Sequence, residues 1–151
     1  MKMSCDSAWQ HGQDDNGFGF EEIEHTADKA LRVYGHSREQ LFSAAAAGMN
    51  YLMVGRPIEV DPKISKTLDL DSIDAESLLV DWLSELAFWA ETESLVFTRI
   101  QWHELTEIRL RATVFGDRVS KLEKHIKAVT YHNLKIVQID EGLEATIVFD
   151  V

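Results

Sequence analysis

The sequence predicts an α+β fold, with two main helices packed on mostly antiparallel β-sheet structure. Two observations carry this prediction. Two segments, 38–54 and 75–91, place apolar side chains at helical spacing. Around them stand six or more β-rich or alternating runs, several joined by tight turns, with no internal repeat and no low-complexity stretch.

Phe18 to His25 reads as a first strand and Lys29 to Tyr34 as a second, with Leu31 and Val33 on one side and Arg32 and Tyr34 on the other. Gly35 closes the second strand. Ser37 is placed as an N-cap, with Gln40 in the capping-box position. The first helix then runs from Arg38 to about Val54, and its small residues from Ala44 to Gly48 allow close backbone approach to a sheet. Gly55-Arg56-Pro57 ends it.

Lys66 to Asp71 alternates as a strand. Asp74 caps a second helix, Ala75 to Glu91, with an apolar stripe of Leu79, Trp82, Leu83, Leu86, Trp89 and Ala90. Phe88 falls off that stripe, beside Asp81, Ser84 and Glu85, and marks a contact surface. Leu95–Leu105 and Glu107–Val114 read as paired strands, with a turn at Gly116-Asp117. Arg118–Ile126 fits a short helix or an extended segment equally well. Leu134–Ile139 and Leu143–Val151 form a hairpin over Asp140-Glu141-Gly142.

Residues 1–17 are polar, lack the apolar stretch of a signal peptide and read as a flexible N-terminal tail, leaving one domain over 18–151. The chain of 151 residues is long enough to bury a real core, and no apolar run is long enough to span a membrane. The one cysteine, Cys5, permits no intrachain disulfide and suits a reducing cytoplasm. The formal charge of −11 opposes extensive contact with nucleic acid, whose binding depends on Lys and Arg. The same charge favours docking on a basic protein.

Two clusters and the chain terminus hold the candidate chemistry. Glu24-His25-Thr26-Ala27-Asp28 packs two carboxylates, an imidazole and a hydroxyl between the first two strands. Asp150 is fixed next to the α-carboxylate of Val151, and two anions held together favour a cation between them. Asp28, Asp150 and Val151 offer the oxygen ligands that Ca²⁺ or Mg²⁺ prefers. In the plainer reading Asp28 shapes a turn and His25 satisfies a backbone group. In Lys127-Ala128-Val129-Thr130-Tyr131-His132, Lys127, Tyr131 and His132 have the chemistry to contact phosphate or move a proton; the plainer reading is a strand with its polar face in water. There is no zinc-ligand spacing, Gly-rich phosphate loop or nucleophile elbow.

Four ordered segments bear a resemblance. His25-Thr26-Ala27-Asp28, the helix around Leu78–Leu86, the segment Lys127–Ile136 and the Phe149-Asp150-Val151 ending resemble motifs of the archease family, from Phe18 to Val151. Glu24 stands where that family usually has Asp, and Asn133 where Asp is often found. The resemblance implies an accessory protein, not an enzyme, that activates the GTP-dependent RNA-splicing ligase of the RtcB type. It implies help in guanylylation and multiple turnover, in tRNA splicing and RNA joining. It also implies a bound divalent cation, most often Ca²⁺, with Mg²⁺ and Mn²⁺ as other candidates, surrounded by Asp28, Asp150 and the terminal carboxylate of Val151. The competing expectations are a stand-alone metal-dependent phosphoester hydrolase, with His25 or His132 as base, and a general protein chaperone or interaction module.

Overall fold

A computed structural model describes residues 19–23, 28–56, 58 and 61–151, and among these residues two antiparallel sheets and two helices build the fold. In chain order the elements are β1 (Gly19–Ile23), β2 (Lys29–Gly35), α1 (Arg38–Val54), β3 (Ile64–Asp71), α2 (Ala75–Glu93), β4 (Leu95–Leu105), β5 (Arg109–Arg118), β6 (Ala128–Thr130), β7 (Val137–Ile139) and β8 (Gly142–Asp150). The first sheet has the order β1-β2-β8-β6, with β7 also paired to β8; the second has the order β3-β5-β4. Strand β8 is therefore internal, with β2 along one edge and β6 and β7 sharing the other.

Both helices start where the sequence placed them. Ser37 accepts a hydrogen bond from the Gln40 N–H, and Asp74 accepts one from the Ser77 N–H. The capping box at α1 is displaced by one residue: the Gln40 side chain accepts from the His36 N–H at 2.6 Å. Helix α1 ends on Gly55 in the left-handed conformation, and α2 runs two residues beyond its expected end to a left-handed Ser94. The small-residue stretch of α1 meets the first sheet as its composition requires. A Cβ on Gly48 would stand 2.8 Å from Leu31 Cδ1 and 3.0 Å from the Phe20 ring.

The core lies between these layers. Trp82, Phe42, Phe149, Leu31 and Leu79 have no or almost no exposed surface. Fully burying each large apolar side chain contributes roughly 1.5–3 kcal/mol. Buried polar atoms find partners: Trp82 Nε1–H donates to the Phe42 carbonyl at 3.0 Å, and Asn50 Nδ2–H donates to the Phe97 carbonyl at 2.7 Å.

Three local expectations change. Gly116-Asp117 is not a turn but lies inside β5, paired with Phe97 and Val96. A Cβ at Gly116 would come within 1.8 Å of the Val96 carbonyl oxygen, so the glycine serves a close backbone approach. Residues 119–127 form no helix. They run irregularly over the end of α1, where the Glu123 and Lys124 N–H groups donate to the Met53 carbonyl, and Ile126 is buried. Strand β7 is shorter than expected, because Leu134 is buried and Ile136 packs on the core.

Candidate metal centre

The end of β8 is assembled by strand register. Lys29 pairs with Phe149 on one side, and Ala128 pairs with Asp150 on the other. One step along the first ladder, Asp28 follows Lys29 back into the loop while Asp150 follows Phe149 forward. On the other flank the Lys127 N–H donates to the Asp150 carbonyl at 2.7 Å, which sets Lys127 beside the last residue, Val151. Phe149 is fully buried, and the pleat then turns Asp150 to the exposed side. Asp28 and Val151 are half-buried, and Val151 packs against the core.

Residues directly opposite each other on antiparallel strands have Cβ atoms about 4.5–5.5 Å apart, and like charges there repel. The last pair of this ladder is Lys29 with Phe149; Asp28, at a bend, and Asp150 are the residues that flank it, with the main chain of Val151 adjoining. Lys29 Nζ lies 3.0 Å from Glu22 Oε2 on the β1 side.

The donor set is all oxygen, so it fits a hard cation such as Ca²⁺ or Mg²⁺ and not a thiolate- or imidazole-seeking metal. Among the described residues no group of three or more His, Cys, Asp or Glu could hold an ion. Asp28 and Asp150 flank the last β2–β8 pair, and the main chain of Val151 adjoins them. Glu24 and His25 lie outside the described residues.

The polar cluster after β6 is divided by the fold. Only Lys127 stays at the β8 end. Thr130 already pairs with Val148, so Tyr131 and His132 lie three or more residues away, roughly 10 Å along the strand direction. They belong to a turn in which the Leu134 N–H donates to the Tyr131 carbonyl and the His132 N–H donates to Thr130 Oγ1. Asn133 sits at φ 52°, a left-handed position that asparagine tolerates well. The turn is anchored on α2, where Glu76 Oε2 accepts from the Ile136 N–H at 3.0 Å.

Two carboxylate-linked groups elsewhere have displaced proton affinities, and both are structural. Hydrogen bonds from Ser77 hold the Asp74 carboxyl below its ordinary range. Arg109 is pushed up by its hydrogen bond to Asp71, then by Asp69, with Glu104 adding to the effect. No sequence motif announced this arginine cluster; the β3–β5–β4 register creates it.

The family model of the Archease protein family matches residues 20–151. The chain belongs to the archease family. It is 35% identical over 144 residues to the archease of Methanosarcina barkeri, covering 89% of this chain and 97% of that one. It is 37% identical over 131 residues to the archease of Thermococcus kodakarensis, covering 82% and 91%. Among solved structures, it is similar to protein 1598 of Methanobacterium thermoautotrophicum, with a TM-score of 0.72 and 31% identity over 88% of this chain and 99% of that one. It is also similar to an archease of Thermotoga maritima described as a possible chaperone, with a TM-score of 0.64 and 28% identity over 85% and 94%. The two-helix, antiparallel-sheet architecture is thus the archease fold. No helix among the described residues is long and apolar enough to cross a membrane.

Proposed function

We propose that this archease is an accessory factor of the RtcB-type RNA ligase, promoting its guanylylation and repeated turnover through a divalent-cation site at the end of β8. Family membership supports the class. The observation that supports the site is the pairing of Lys29 with Phe149, whose chain neighbours Asp28 and Asp150 flank one end of the first sheet. Asp28, Asp150 and the α-carboxylate of Val151 would hold the ion, with Ca²⁺ as the leading candidate. When bound, the ion supplies a hard positive charge to phosphate oxygens.

The chain's own residues do the rest. Three carboxylates hold a divalent cation and leave the site net negative. Lys127 is exposed beside Val151, where its ammonium can steady a phosphate oxygen or a neighbouring carboxylate. The formal charge of −11 disfavours an extensive RNA interface of the chain's own and favours the basic cleft that a ligase needs for GTP and RNA. Docking of this kind weakens as salt rises.

The test is multiple-turnover ligation of RNA bearing a cyclic or 3′-phosphate end, with and without this protein. The proposal expects product beyond one equivalent of ligase only when the protein is present. Phosphoester hydrolysis by the protein alone with Mg²⁺ or Mn²⁺ would instead establish a stand-alone hydrolase. A second reading, a general chaperone or interaction module, draws on the exposure of Phe88 and on the description of the Thermotoga relative. Protection of unrelated proteins from aggregation, without effect on the ligase, would favour it.

A further inference from the structure

We infer that the outer face of α2, centred on Phe88, is a second docking surface for the ligase, which meets it with an apolar side chain flanked by Lys or Arg. This inference rests on the function proposed above and concerns a surface that contains none of the cation ligands.

Phe88 is 58% exposed on an ordered helix. The inner side of α2 is occupied by Leu79, Trp82, Leu83, Leu86 and Ala90, so Phe88 has no place in the core. Along its length α2 carries five carboxylates, Glu76, Asp81, Glu85, Glu91 and Glu93, and no Lys, Arg or His. Helices ordinarily favour cations in the last turn and opposite charges four residues apart. Here Glu91 and Glu93 occupy the last turn, and Asp81 and Glu85 are like charges at that spacing.

Among the described residues, neighbouring elements answer only the carboxylates near the ends of α2. Glu93 lies 3.5 Å from Arg118 and 3.9 Å from Lys66, Glu91 lies 3.0 Å from His125, and Glu76 binds the Ile136 N–H. Asp81 accepts from Ser72 Oγ, an uncharged partner. Asp81 and Glu85, which have no cationic partner among the described residues, are on the side of α2 that carries Phe88.

Charge selects the occupant. In a two-fold contact a second copy would bring the same acidic stripe against this one, and like charges would meet. Nucleic acid and anionic lipid surfaces are repelled for the same reason. A basic protein surface with an apolar anchor satisfies both the ring and the carboxylates. Helix α2 also packs against β6, whose Ala128 pairs with Asp150.

The experiment measures binding of the full-length protein to purified ligase by calorimetry at two salt concentrations, with Ca²⁺ titration of each variant alongside. Phe88→Ser is expected to weaken ligase binding by about tenfold or more, as loss of a central aromatic anchor does. Glu85→Lys is expected to weaken it and to flatten its salt dependence. Glu107→Lys, an equal charge reversal at the β4–β5 turn, is expected to bind like the wild type. All three should bind Ca²⁺ like the wild type, and Phe88→Ser should melt within about 2 °C of it, since the ring is exposed. Wild-type affinity in both Phe88→Ser and Glu85→Lys would overturn the inference while leaving the proposed function standing. Absence of any binding by the wild-type protein would overturn both. Self-association abolished by Phe88→Ser would assign the surface to a second copy and overturn the inference.

Discussion

Lys29 of β2 lies directly opposite Phe149 of β8, and Asp28 and Asp150 flank this last pair at the sheet end. If those carboxylates serve the ligase, Asp28→Ala and Asp150→Ala should each reduce stimulation of multiple-turnover ligation by at least about tenfold, the range seen when even outer supports of a metal site are lost. Asp150→Asn should behave alike, because it keeps the shape and removes the charge. Rates with excess RNA over ligase provide the measurement.

Two residues added after Val151 should be as harmful as either substitution, because the α-carboxylate is then replaced by a neutral peptide group. Comparing ligase stimulation and thermal melting of the lengthened chain checks this. The expected pattern is unaltered melting with lost stimulation.

Gly116→Ala should destabilise the fold by roughly 1–3 kcal/mol or more, because the added methyl meets the Val96 carbonyl oxygen within β4. Urea denaturation at fixed pH measures the loss. A glycine in an open surface turn would tolerate the same change, so the result also separates the strand from the turn.

Trp82→Ala should cost about 3–5 kcal/mol, combining lost transfer energy with the cavity left behind. The indole is fully buried, packs with its ring centroid 5.0 Å from that of Trp102 and donates to the Phe42 carbonyl. Chemical denaturation reads this directly.

Acid should act on the start of α2. Ser77 holds the folded-state Asp74 carboxyl below its ordinary value of 3.8. A lowered folded-state value means that the cap's contribution is fully present above the unfolded value and is lost as pH falls through the folded one. Asp74→Asn caps without titrating. It should therefore melt like the wild type near neutral pH and lose less of its stability between about pH 5 and the folded-state value. Melting temperature against pH for the two proteins checks the sign.

Local signals made the helices legible. Ser37 and Asp74 can each reach an N–H three residues on, and the apolar spacing of Leu79, Trp82, Leu83 and Leu86 needs only one partner layer. Gly116 misled because a glycine beside an aspartate carries turn chemistry in any sequence. Only the arrival of β4 at β5 reveals that its missing Cβ is what the contact requires. The candidate site was half legible. Asp150 and Val151 are joined by the chain, whereas Asp28 comes to the same sheet end through the pairing of Lys29 with Phe149 across more than a hundred residues, which local pattern does not encode. The same long-range pairing divides Lys127 from Tyr131 and His132, contiguous in sequence but carried apart by β6 and its turn.

Ca²⁺ titration by calorimetry of the wild type, Asp28→Ala, Asp150→Ala and the double variant tests the shared-ion claim most directly. The register predicts that each single substitution removes nearly as much affinity as both together, because the two carboxylates hold one ion. Wild-type affinity in either single variant would contradict it.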